Sequence, residues 1–67
     1  MKEITREFAL ENNLKSILTI SDGDMSKVTL AMERLKEDKR IKYYTMDLII
    51  FNQQTHEGSI NLTFWGD

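Results

Sequence analysis

Sixty-seven residues carrying 40% apolar and 30% charged side chains and a formal charge of −2 describe one small globular domain, too short for a second core and too apolar to be a disordered chain. With no cysteine and a single histidine, a disulfide framework and a structural zinc site are both excluded as staples. Stability must come from packing or from association with another chain, since a core in so short a chain seldom supplies more than ~3–5 kcal/mol.

The opening Met1-Lys2-Glu3-Ile4-Thr5-Arg6-Glu7-Phe8 carries charge where a signal peptide would be apolar. The longest apolar run, Leu48 to Phe51, falls far short of the ~20 residues that span a bilayer. A cytoplasmic location and no membrane partner are the expectation.

Residues 3–20 admit two patterns. Leu10, Leu14, Ile17 and Leu18 recur at helical spacing, whereas Ile4, Phe8, Leu10, Leu14, Leu18 and Ile20 fit alternation within two strands. Asn12-Asn13 suits a turn because Asn tolerates the left-handed conformation, and Leu18-Thr19-Ile20 has strand propensity. A hairpin over 3–20 with a three-residue Glu11-Asn12-Asn13 loop is therefore expected.

Across 24–39 the apolar positions Met25, Val28, Ala31, Met32 and Leu35 form one stripe, with Lys27, Glu33, Arg34, Lys36 and Glu37 off it. Ser21-Asp22-Gly23-Asp24 supplies N-cap acceptors, and Lys36, Lys39 and Arg40 lie where a helix C-terminus favours cations. This predicts an amphipathic helix.

A second hairpin is expected over 41–65, its strands joined by the polar Gln53 to Gly58. With even positions inward, Tyr44, Met46, Leu48 and Ile50 lie beside Ile60, Leu62 and Phe64, and Ile50 pairs with Ile60 and Leu48 with Leu62.

The expected fold is thus a single α+β domain over 1–67 of order ββαββ, one helix on a four-stranded sheet. The alternative is two helices followed by a β-hairpin, like a winged helix. The closing Ser59 to Asp67 looks like the terminal strand of the small β-grasp immunoglobulin-binding domains, and the element order is similar to theirs. That resemblance implies central, parallel first and last strands; it carries no binding motif, so antibody binding does not follow.

Asp22, Asp24, Ser26 and Glu33 mimic a calcium loop, but its sixth position, where glycine is needed, is Lys27; a helix cap accounts for them and no metal is expected. His56 and Glu57 sit in a polar loop with no evident nucleophile, and the three glycines are scattered rather than gathered into a phosphate cradle. No catalytic residue, cofactor or small-molecule substrate is expected, and the protein reads as a non-enzyme.

Two surfaces remain. With even positions buried, Tyr43, Ile49, Phe51 and Trp65, joined by Ile17, point from the outer face of the sheet, where apolar residues mark a docking surface. The partner expected there is a larger protein or a second copy, which suits a small regulator or inhibitor such as the anti-defence proteins of phages and mobile elements. Lys36, Lys39, Arg40 and Lys42, close to Tyr43 and Tyr44, offer the alternative, a DNA- or RNA-binding regulator. Interleaved Glu33, Glu37 and Asp38 and the acidic total weigh against it.

Overall fold

A computed structural model describes residues 1–67 except Gln53 and His56, with Phe51 described in its backbone alone. The elements are β1 (Lys2–Glu3), α1 (Arg6–Glu11), β2 (Lys15–Asp22), α2 (Met25–Leu35), β3 (Tyr43–Asn52) and β4 (Glu57–Gly66). They form one four-stranded sheet of order β1-β3-β4-β2. The α+β class is as expected, and α2 lies over β2 and β4 on one face of the sheet.

The N-terminal hairpin over 3–20 is corrected to strand, short helix, strand, and the helical alternative holds for Arg6–Glu11 only. Thr5 caps α1, its Oγ1 accepting the Phe8 N–H at 3.1 Å. At the other end Asn13 takes φ 55°. The Asn13 N–H donates to the Leu10 carbonyl at 3.2 Å and the Leu14 N–H to that of Ala9 at 3.0 Å, a Schellman closure of the helix. The left-handed Asn foreseen from the sequence is therefore present, but it ends a helix instead of turning a hairpin.

The first and last strands are not a central parallel pair as the β-grasp resemblance implies. β4 is central and β1 lies at an edge, parallel to β3. β2 runs antiparallel to the other side of β4, with a bulge between Ser16 and Leu18.

The helix expected over 24–39 starts as foreseen, Asp24 Oδ1 accepting the Ser26 N–H at 2.9 Å. It stops four residues early because Asp38 accepts the Arg40 N–H at 3.0 Å and the Ile41 N–H bonds the Asp38 carbonyl, a local turn that competes with helix continuation.

The second hairpin has the expected parity with its register moved by two residues: Leu48 faces Ile60, Met46 faces Leu62 and Ile50 faces Gly58. A two-residue move keeps every side chain on its face. Leu62 and Phe64 accordingly pack with Val28 and Ile41, flanked by Ile20, Met32, Leu35, Tyr44, Met46 and Ile60.

Phe64→Ala should cost ~3–5 kcal/mol, comparable to the whole margin of so small a core, and leave the chain largely unfolded by circular dichroism at 25 °C. A Cβ at Gly66 would fall 2.2 Å from the Arg40 carbonyl oxygen and 2.8 Å from Ile17 Cδ1. Gly66→Ala should lower the urea midpoint by the equivalent of ~1–3 kcal/mol; an unchanged midpoint would show that this corner is looser than described.

Candidate functional site

The odd-numbered face of the sheet, expected to be the docking surface, is closed at one end by α1. The Arg6 guanidinium lies 5.7 Å from the centroid of the Trp65 ring and bonds Asp47 at 3.0 Å. Phe8 meets Tyr43 edge-on at a centroid distance of 6.3 Å. Beneath this cover the Trp65 indole N–H donates to Thr45 Oγ1 at 3.0 Å, and Trp65 is left 4% exposed.

Trp65 is thus an internal anchor for α1 and does not reach solvent as a docking residue, and Tyr43 is half-buried. Ile17 is corrected to the opposite face, where the β2 bulge brings it against the core beneath α2. The Phe51 side chain lies outside the described residues, as does His56. Over β2 and β4 the outer face is polar: Thr19 and Thr63 hydroxyls meet at 3.2 Å, and Ser21 donates to Asn61 at 2.6 Å; of the expected docking residues Ile49 alone lies on this face and is exposed among the described residues.

Apolar side chains are exposed on both faces of the arm of β3, Ile49 on the outer face and Leu48 and Ile50 on the other. Leu48 is 68%, Ile49 47% and Ile50 55% exposed. Leu48 and Ile50 share the face of Met46 and Tyr44, toward α2, but α2 packs chiefly over β2 and β4 and leaves these two exposed. The inward orientation read from the sequence is right, and the burial expected of these two residues is not attained.

The same stretch is an open sheet edge. β1 accompanies β3 only at Tyr43 and Tyr44, and the Ile4 N–H donating to the Tyr44 carbonyl at 2.9 Å is its last bond. Backbone polar groups of alternate residues point to the same side of a strand, so those of Met46, Leu48 and Ile50 point away from β4 like those of Tyr44. Among the described residues no hydrogen-bond partner meets them.

The basic cluster is largely neutralised. Lys36 pairs with Glu33 at 2.6 Å, Arg40 with Asp38 at 2.7 Å and Lys42 with Asp67, and among the described residues Lys39 alone of the four has no carboxylate partner. Hydrogen bonding to Glu33, Asp38 and Asp67, respectively, raises the pKa of Lys36, Arg40 and Lys42. Bonds from the Arg40 side chain and then its backbone N–H lower Asp38 from 3.8 to about 2.

The acidic turn before α2 is occupied by capping. Asp22 accepts the Asp24 N–H at 2.9 Å, and Asp24 accepts the Ser26 N–H and hydroxyl; Ser26 accordingly lowers the Asp24 pKa. Among the described residues no helix is long and apolar enough to cross a membrane. Comparison with family models, curated proteins and solved structures finds no match to the chain.

Because Asp38 has a lower pKa folded than unfolded, its contribution to stability is present above about pH 3.8 and is lost as pH falls through about 2. Urea midpoints of the wild type and Asp38→Asn should therefore differ at pH 5 and converge toward pH 2; a constant gap would mean that Asp38 does not act through its charge.

Proposed function

We propose that the chain is a small non-enzymatic protein-binding module, of the regulator or inhibitor kind, that engages its partner with the exposed arm of β3. The observation that carries this is the coincidence of Leu48, Ile49 and Ile50, each about half exposed or more, with an open backbone edge. Exposed apolar side chains gathered on both faces of one strand favour an interaction site, and an open edge supplies main-chain hydrogen bonds to an incoming strand. These features support the hairpin arm as the partner surface, in place of the outer face around Trp65.

A nucleic-acid-binding regulator is the lesser reading. Three of its four cations carry carboxylates of their own, so a phosphate would have to displace Glu33, Asp38 and Asp67 to reach Lys36, Arg40 and Lys42.

A photo-crosslinking residue placed at Leu48 should join the chain to protein, whether a second copy or another chain, and one at the exposed Leu30 of α2 should not. Equal labelling from the two positions, or none from Leu48, would remove the β3 arm as a binding surface.

A further inference from the structure

We propose that the occupant of this edge is a second copy of the chain, paired antiparallel through Met46 to Ile50 so that the two sheets run on as one. The inference rests on the binding-module reading and narrows its partner to the protein itself.

Only an extended backbone satisfies the N–H and C=O groups that Met46, Leu48 and Ile50 turn outward. The same segment of another copy, turned by a two-fold axis perpendicular to the sheet, presents the matching pattern when even-numbered residues face even-numbered ones. The operation keeps each face on its own side. Leu48 and Ile50 of the two copies then come together on the α2 face, the side on which they share a face with buried Leu62 and Phe64 but lack a cover.

Charge permits this pairing. Between Tyr44 and Asn52 the one charged residue is Asp47, which lies on the opposite face and is held by Arg6. The stretch carries no lysine or proline, the residues that ordinarily blunt an exposed edge. β1 limits the sliding: it occupies the edge as far as Tyr44, so the overlap centres on Leu48 to Ile50 and a register setting Asp47 against Asp47 is disfavoured by both sterics and charge.

The other free edge does not compete. β2 carries a bulge between Ser16 and Leu18 and begins and ends on Lys15 and Asp22, features that interrupt pairing. A β2-to-β3 contact would also propagate as an open chain of copies, whereas β3 to β3 closes as a symmetric dimer.

The single chain leaves apolar surface for a second copy to cover. Six apolar residues form the buried core while nine large ones are exposed among the described residues, and the β3 arm holds the three of those nine that are consecutive in sequence.

Light scattering and sedimentation on the full chain should give twice the 7.9 kDa chain mass at high micromolar concentration. Under those conditions the amides of Met46, Leu48 and Ile50 should exchange slowly with solvent. Leu48→Pro removes an edge donor that does not point toward β4; Leu48→Lys keeps the donor and adds charge. Each should move the dimer midpoint at least about tenfold higher in concentration, with Leu30→Lys unchanged, and Leu48→Lys decides the matter if the proline variant does not fold.

A monomer at every concentration overturns the dimer. If the Leu48 crosslinker then captures a different protein, the binding-module reading survives without it. A dimer indifferent to Leu48→Lys, or one in which those amides exchange freely, overturns the β3 edge as its seam.

Discussion

The burial of β4 on both of its faces is the constraint on which the rest of the molecule depends. From Leu62 to Gly66 every residue is buried. Leu62 and Phe64 contribute the core beneath α2 on one side, and Thr63 and Trp65 form the floor under α1 and the hydroxyl ladder on the other. A strand enclosed this way must be central and must have its polar groups paired on both edges. β2 and β3 provide that pairing.

Such an arrangement uses most of the covering material in a chain of 67 residues. α1 is one and a half turns long and is held by Trp65, Asp47 and Tyr43. α2 spans eleven residues and sits over β2 and β4. Neither extends to the far half of β3, so the arm keeps apolar side chains and an unpaired edge. Small domains commonly solve a thin core with disulfides, metals or association, and this chain has no cysteine.

The order of elements was partly legible. The amphipathic stripe of α2, its Asp24 cap and the alternation of Tyr44 to Ile50 against Ile60 to Phe64 each follow from one dominant period, and each is found where that period puts it. Residues 3–20 carry no dominant period. Asn13 at positive φ closes a three-residue hairpin loop or a Schellman turn equally well, and the signal that distinguishes them, Thr5 as an N-cap three residues before Phe8, is weak in isolation. For the site, the parity of β3 was readable but not which of its residues a short helix would reach, and Trp65 looked exposed because its cover comes from a segment read as strand.

The sequence by itself determined the α+β class, the position of the main helix and the two faces of the second hairpin, because these depend on side-chain periodicity within single segments. Tertiary structure alone decided that α1 folds over Trp65, that β1 stops at Tyr44 and that α2 leaves Leu48 and Ile50 uncovered. Those outcomes turn on how far one element extends across another, a matter of length and placement between segments distant in the chain, which no local pattern of residues encodes.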